Sequence, residues 1–434
     1  MLIDIENKKE DSNKCYEAQR ILKNRKPKKP LIVKNKNGEV AGTPKAQADI
    51  TTTHFKKMLA PNEFEDKFKK YDPHDMTTPF TADEIQKAAR SLKNNKSTGI
   101  DNIKAELIKY APNTVHKLIA DIYNETARSG NYPEELVAGI LTPLQKPGKT
   151  KGPPENLRLI ILLSILRKLL TISLLKRIWT RVKKKIPINQ AAYQPGRSTT
   201  ELVFAIKVLC EKAIASSDYT LYLLLLDMSK AFDTVRRDTL FERLEQILQP
   251  DELHLLSILT NRPTIRVRVN EEFGETFETY LGIMQGDCLS AILFIFYLAE
   301  CFAENNENTA ALKYDITNYN DKDFNVDPFY ADDTTFAGTN QQGKKRLKQI
   351  EKKLPKQMEK KNLSANHTKT ERYEFPIPPP PQTPNPSYET LIKHKNDKII
   401  WSEFQQPRLE KMQTTGQFTG NRTRHRKKKN TCNR

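Results

Sequence analysis

The alternation of apolar and polar positions predicts one region in which strands and helices follow each other in a regular order. The run TLYLLLLD at 220–227 is continuously apolar and ends in a carboxylate, as expected of a buried strand. Residues 264–269 alternate instead, which indicates a half-buried strand. The predicted elements are, in order, a strand at 220–227, a helix at 237–249, strands at 264–269 and 276–281, a helix at 289–302 and a strand–turn–strand at 329–336. This β-α-β-β-α-β order predicts an α+β fold with a ferredoxin-like sheet.

Helical spacing dominates the flanking regions. Thr81 followed by Glu84 is typical of a capping box, and it predicts a helix to about residue 94. We further expect helical segments at 102–129, 159–185, 201–215 and 344–362, and a strand at 136–144.

The two ends of the chain have a different composition. Residues 20–36 carry eight cations and no acid, so we expect 1–75 to be a basic, largely disordered extension. A basic linker, a nuclear-import signal and a nucleic-acid-binding arm all remain open for this stretch. At the other end, 376–386 contains seven prolines, and 405–434 contains nine cations against one acid. We therefore expect 376–434 to be a Pro-rich and then basic disordered tail.

Charge narrows the classes of partner. The chain has 434 residues, with 72 Lys and Arg against 53 Asp and Glu, which gives a formal net charge of +19. Such an excess favours a polyanionic partner, above all nucleic acid. The longest apolar stretch, 159–175, is broken by Arg167 and Lys168, so no membrane partner is expected. The five cysteines form no CxxC pair, and the polar N-terminus is unlike a secretory signal. We expect an intracellular protein, consistent with a nuclear location and not secreted.

Three carboxylates are candidates for chemistry. Asp227 ends an apolar strand, and Asp332 and Asp333 lie where another apolar segment turns. Carboxylates gathered at one point repel each other, and a divalent cation such as Mg²⁺ relieves that repulsion. An ordinary Asp-rich turn is the alternative interpretation of Asp332 and Asp333.

Three segments together resemble a known family. DMSKAFDTV (227–235), GIMQGDCLS (282–290) and FYADDTTF (329–336) resemble the palm motifs of reverse transcriptases, specifically those of non-LTR (LINE-type, jockey-like) retrotransposons. Supporting segments occur in the family's order: KSTGID at 96–101, LTPLQKPGK at 141–149, NLRLI at 156–160, YQPGRSTTE at 193–201 and ANHTKTE at 365–371. The resemblance covers about 80–375.

The resemblance implies a right-hand polymerase. Fingers would occupy 76–200, the ferredoxin-like palm 201–340, and a truncated helical thumb 341–375, with the reverse transcriptase domain spanning about 128–375. Such a protein would be an RNA-directed DNA polymerase, with an RNA template, a DNA primer and dNTP substrates as partners. A separate endonuclease supplied by a longer form is a further expected partner.

The resemblance also implies roles for individual residues. Asp227, Asp332 and Asp333 would be catalytic and, with the backbone carbonyl of Met228, would hold two Mg²⁺ ions, for which Mn²⁺ is a substitute. Phe232 would be the aromatic gate that excludes a ribose 2′-hydroxyl. Asp233 would point away from the pocket, because one residue reverses side-chain direction on a strand.

The remaining residues would hold substrates. The residues expected to bind the nucleotide, besides Phe232, are Lys146, Arg158, Gln285, Gly286 and Lys369. Gly196 and Arg197 would border the template. The alternative for the basic side chains is ordinary solvation at the surface.

Two rival functions remain open. A non-catalytic nucleic-acid-binding relic would keep the fold without extending primers, and the short thumb favours it. An RNA-dependent RNA polymerase is disfavoured by Phe232 and by YADD, where such enzymes usually have GDD.

Overall fold

The computed structural model describes residues 30–35, 37–215, 220–286, 288–303 and 325–375. The chain divides into two units, Met1–Glu374 and Phe375–Arg434, and every described residue except Phe375 belongs to the first. The predicted Pro-rich and basic tail at 376–434 and residues 1–29 lie outside the described residues.

Helices and strands alternate along the described chain. The helices are α1 (Pro44–Leu59), α2 (Ala82–Ser91), α3 (Ala105–Lys109), α4 (Asn113–Ser129), α5 (Ile165–Lys183), α6 (Thr199–Ala215), α7 (Arg237–Leu244), α8 (Pro250–Thr260), α9 (Cys288–Ala303) and α10 (Asn340–Lys360). The strands are β1 (Gly139–Gln145), β2 (Leu157–Leu163), β3 (Leu221–Leu226), β4 (Met228–Ser229), β5 (Thr264–Val269), β6 (Glu272–Glu278), β7 (Asn325–Val326), β8 (Phe329–Tyr330), β9 (Asp333–Thr339), β10 (Ser364–Ala365) and β11 (Glu371–Phe375). The mixed α+β class is therefore confirmed.

The predicted strands form two separate larger sheets. One has the order β2-β1-β5-β6, and the other has the order β11-β3-β9-β7, with β8 paired to β9. The prediction of a single ferredoxin-like sheet is therefore wrong, because the β5–β6 hairpin pairs with β1 and not with β3 or β9. The cause lies in packing: Ile265, Val267 and Val269 share a core with Leu141 on β1.

A helix within the N-terminal extension covers that first core. The Oγ1 atom of Thr43 accepts a hydrogen bond from the Ala46 backbone N–H and caps α1. Phe55 and Leu59 of α1 are buried against the same core as β5. The expectation of a largely disordered segment at 1–75 is therefore wrong for 44–59, because the apolar face of this helix packs against the core that contains β5.

Residues 159–185 form two elements instead of the one predicted helix. Residues up to Leu163 belong to β2, which pairs antiparallel with β1, and α5 follows. Ser164 caps the helix by accepting a hydrogen bond from the Arg167 backbone N–H at 3.1 Å. The apolar run alone did not distinguish a buried strand from a buried helix.

Among the described residues, we found no helix that is both apolar enough and long enough to span a bilayer.

The segment predicted as a truncated thumb joins the second sheet. Leu347, Leu354 and Met358 of α10 are buried in the larger core, together with Leu224 of β3. β11 is the neighbour of β3, and β10 pairs with β4. The segment predicted as a truncated helical thumb at 341–375 therefore also contains strands, and it completes the sheet that carries the candidate acids.

Candidate active site

The three candidate acids lie at one end of the second sheet. β3 and β9 are antiparallel, and Leu226 is the register partner of Thr334. Asp227 directly follows β3, and Asp333 is the first residue of β9, so the two lie at the same sheet end. Asp332 lies in the tight turn between β8 and β9, where Tyr330 pairs with Asp333. Ala331 makes this turn possible by adopting a left-handed φ of 55°.

Burial and mutual repulsion disfavour the charged forms of two of these acids. Burial raises the pKa of Asp332, and the charge of Asp227 raises it further. Burial likewise raises the pKa of Asp333, with added contributions from the charges of Asp332 and Asp227. Lys369 acts in the opposite direction on both acids. These couplings place the three carboxylates within electrostatic reach of each other.

Asp227 has two direct side-chain partners. The Asn366 Nδ2 atom donates to Asp227 Oδ2 at 3.0 Å, and the Lys369 ammonium approaches the same oxygen at 2.9 Å. The Asn366 backbone N–H donates to the Asp227 carbonyl at 2.8 Å. Lys369, which was predicted to bind the nucleotide, therefore contacts a candidate catalytic acid, and Asn366 joins the site without having been predicted.

The donor chemistry of the site fits a divalent cation. Partly buried carboxylates with raised pKa values are hard oxygen ligands whose mutual repulsion a cation would relieve. Met228 is buried in β4, where it is the register partner of Ala365. Among the described residues, no group of three or more Asp, Glu, His or Cys side chains is close enough to form a complete metal site.

A cluster of positive charges lies beside the acids. Lys146 follows β1, and its ammonium donates to the Glu155 carbonyl at 2.8 Å. Burial lowers the pKa of Lys146, and the nearby charges of Lys230, Arg158 and Lys369 lower it further. Arg158 is exposed on β2. The structure therefore brings together the predicted residues Lys146, Arg158 and Lys369, and it adds Lys230.

Two further residues of this region were missed by sequence reasoning. Lys230 lies inside the DMSKAFD segment and has a left-handed φ of 50°. No sequence pattern predicts this backbone conformation for a lysine. Tyr193 lies in the segment quoted for the template. Burial raises the pKa of Tyr193, and the charges of Asp332 and Asp333 raise it further.

Phe232 is held in an aromatic stack. Its ring lies 3.8 Å from the ring of Phe294, centroid to centroid, at an interplanar angle of 21°. Tyr193 approaches the Phe232 ring edge-on at 6.3 Å. Stacking on a residue of α9 limits the rotation of the ring, which suits a fixed wall of a pocket.

Gln285 and Gly286 lie against β2, and Gln285 also contacts Asp233. Gln285 Nε2 donates to Asp233 Oδ1 at 3.0 Å, and the Gln285 carbonyl accepts from the Ile161 backbone N–H. A Cβ atom at Gly286 would overlap the Ile161 carbonyl oxygen. Gly286 therefore permits close packing against β2. Asp233 is buried and contacts Gln285, itself a predicted nucleotide-binding residue. The expectation that Asp233 points away from the pocket rested on strand geometry, whereas 231–233 form a 3₁₀ turn.

The two residues predicted for the template differ in their surroundings. Gly196 has a left-handed φ of 76°, and no atom would meet a Cβ there within 4 Å. The Arg197 guanidinium pairs with Glu201 and also donates to the Ile188 carbonyl at 2.7 Å. Arg197 is therefore engaged locally, and a role at the template would require it to exchange these partners.

Comparison with known proteins assigns a family to this arrangement. Two relatives from Drosophila melanogaster are similar to the chain: the probable RNA-directed DNA polymerase from transposon BS, 26% identical over 64% of this chain, and that from transposon X-element, 25% identical over 66%. A Xenopus laevis protein, the transposon TX1 uncharacterized 149 kDa protein, is 27% identical over 50% of the chain and 17% of its own length. The chain spans only 32% and 33% of the two Drosophila relatives.

Solved structures give a weaker likeness. A telomerase from Candida tropicalis, in complex with a fragment of telomeric RNA, superposes with a TM-score of 0.39 and 16% identity. The superposition covers 56% of this chain and 42% of that one.

Residues 144–429 match the family model described as reverse transcriptase (RNA-dependent DNA polymerase), which is more than half of the sequence. The chain therefore belongs to the reverse transcriptase family, as its three palm-like segments predicted.

Proposed function

We propose that the chain is an RNA-directed DNA polymerase of a non-LTR retrotransposon, which adds dNTPs to the 3′-hydroxyl of a primer. The observation that carries the proposal is that Asp227, Asp332 and Asp333 lie at the same sheet end and influence one another electrostatically, beside a cluster of cations. The similarity to two transposon-encoded probable RNA-directed DNA polymerases supports it. A right-hand polymerase architecture is part of this proposal.

The groups that would hold Mg²⁺, or Mn²⁺ in its place, are the side chains of Asp227, Asp332 and Asp333 and the Met228 carbonyl. When bound, two such ions stabilise the attacking and leaving oxygens of a phosphoryl transfer. The protein itself contributes fixed carboxylates, so that little reorganisation is needed during the reaction. Because these carboxylates repel each other in a partly buried setting, their preference for a cation is built into the fold.

The cationic cluster would receive the triphosphate. Lys146 and Arg158 project from the β1–β2 pair next to the acids, and Arg suits phosphate because its planar fork makes paired hydrogen bonds. Gln285 and Gly286 border this space, and Lys369 reaches it from the Asp227 side. Phe232, fixed by its stack on Phe294, would occupy the volume of a 2′-hydroxyl and so favour deoxynucleotides.

The RNA template and DNA primer would be held mainly through their phosphates. The excess of basic residues, 72 against 53 acidic ones, supplies the positive charge. Binding through phosphates weakens steeply as the salt concentration rises. Gly196 and Arg197 remain proposed template contacts. An endonuclease partner and a nuclear location also remain proposals.

Primer extension tests the proposal. The full chain is incubated with an RNA template, a DNA primer and Mg²⁺, with either dNTPs or NTPs. We expect extension with dNTPs, and its loss in Asp332→Asn, which keeps the side-chain shape but removes the charge. Asp121→Asn, a change of an exposed acid on α4, is the matched control and should leave extension intact.

Two results would contradict the proposal. Binding of the duplex without any extension would make the chain a non-catalytic nucleic-acid-binding protein. Extension with NTPs at the same rate as with dNTPs would contradict the role given to Phe232 and favour an RNA polymerase.

A further inference from the structure

Asp227 is hydrogen-bonded on one of its two carboxylate oxygens. Asn366 Nδ2 and Lys369 Nζ both lie against Oδ2, at 3.0 and 2.9 Å. Within the part of the chain that the structure describes, Oδ1 has no hydrogen-bond partner. The carboxylate is therefore held from one side, and its other oxygen is available to a ligand.

The main chain fixes Asn366 relative to Asp227. β10 pairs antiparallel with β4, so that Ala365 lies opposite Met228, the residue after Asp227. The Asn366 backbone N–H then donates to the Asp227 carbonyl at 2.8 Å. These backbone contacts do not depend on the Asn366 side chain, so replacing that side chain should leave the local fold in place.

A third residue sets the orientation of the Asn366 amide. The Thr368 hydroxyl donates to Asn366 Oδ1 at 2.7 Å. Because that oxygen accepts from Thr368, the amide nitrogen is directed at Asp227. A flipped amide would lose the hydrogen bond from Thr368 and would turn its oxygen towards the Asp227 carboxylate. The contacts thus form a relay from Thr368 through Asn366 to Asp227.

We infer that Thr368 and Asn366 are positioning residues that hold Asp227 with Oδ1 presented to a divalent metal ion. The inference rests on the proposed function, since it assigns Asp227 a metal-binding role. Both residues would act through Asp227 and not as metal ligands themselves. Groups that orient a metal ligand typically change metal affinity by about 10–100-fold when they are removed.

Thr368 offers a matched pair of variants. It is exposed, so neither variant should disturb the core. Thr368→Val keeps the shape and removes the donor, whereas Thr368→Ser keeps the hydroxyl. Binding of Mn²⁺ alone is measured on the full chain, without nucleotide, by electron paramagnetic resonance or calorimetry, with Asp227→Ala to identify the relevant site. Thermal unfolding without metal is recorded for every variant.

We expect Thr368→Val to weaken Mn²⁺ binding several-fold, Asn366→Ala to weaken it by about 10-fold or more, and Thr368→Ser to bind within about twofold of the parent. Since Thr368 acts through Asn366, the double variant should be no weaker than Asn366→Ala alone. The melting temperature without metal should change little in all of them.

Three results would overturn the inference. They are parent-like Mn²⁺ binding in Asn366→Ala, equal losses in Thr368→Val and Thr368→Ser, and a parent chain without Mn²⁺ binding that depends on Asp227. Failure of the proposed function is a separate result, because primer extension could be absent while Mn²⁺ binding follows the expected order.

Discussion

Replacing the buried Asp233 by Asn should change how the stability of the protein depends on pH. Asp233 is 8% exposed, and burial raises its pKa from 3.8 to about 6, against the opposing hydrogen bond from Gln285 and the charges of Lys230 and Lys146. Asn is nearly the same size, carries no charge, and still has a side-chain oxygen that accepts from Gln285 Nε2. The variant therefore removes the titration and keeps the contact.

The magnitude follows from the difference between the two pKa values. The difference is 6 − 3.8 = 2.2, which at about 1.36 kcal/mol for each pKa unit corresponds to roughly 3 kcal/mol. The folded state holds the proton more tightly than the unfolded state does. The contribution of Asp233 to stability is therefore full below about pH 4 and is lost as the pH rises through about 6.

Urea unfolding of parent and variant at several pH values tests this reasoning. We expect the unfolding free energy of Asp233→Asn, relative to the parent, to rise by roughly 2 kcal/mol between about pH 4 and about pH 7, since part of the titration lies below pH 4. Asp121→Asn serves as the control for losing one exposed charge. A difference between Asp233→Asn and the parent that stays constant over this range would refute the assignment of a raised pKa to Asp233.

Three further variants test packing, buried polar contacts and nucleic-acid binding. Gly286→Ala should lower stability by about 1–3 kcal/mol in chemical denaturation, because its Cβ would overlap the Ile161 carbonyl oxygen and force β2 to move. Arg237→Met should cost roughly 3 kcal/mol in the same assay, since Arg237 is 5% exposed and donates to the carbonyls of Gly282 and Leu281, which would lose their partner. Lys352→Gln/Lys356→Gln removes two exposed cations spaced about 6 Å apart on α10; if both contact phosphates, the slope of duplex affinity against salt should fall by about 2. An unchanged slope would show that this face does not contact the duplex.

The candidate acids could be predicted because they lie in short segments that are recognisable in the sequence and occur in a defined order. The apolar run before Asp227 and the FYADDTTF segment each indicate a strand that ends at an acid. The structure then pairs these strands side by side, so that the three acids lie at the same end of the sheet. Capping residues were similarly local, so Thr81 correctly marked the start of α2.

Contacts between distant segments were harder to predict. Asn366 lies 139 positions from Asp227, and Gln285 lies 52 positions from Asp233. Nothing in the residues around Asn366 indicates which carboxylate its amide meets. The same holds for the helix at 44–59. Its apolar residues are buried only because they pack against a sheet whose strands come from residues much further along the sequence.

The sequence by itself determined most of the helices and strands between residues 220 and 336, the acids at the strand ends and the membership of the reverse transcriptase family, because hydrophobic periodicity and short motifs are local properties. Only the tertiary structure decided that β5 pairs with β1, that 340–375 joins the sheet of β3 and β9, and that Asp227 is held by Asn366 and Lys369. The physical reason is that a strand's alternating pattern specifies which side is buried, but not which neighbour it pairs with. That choice is made by the packing of side chains from the whole chain.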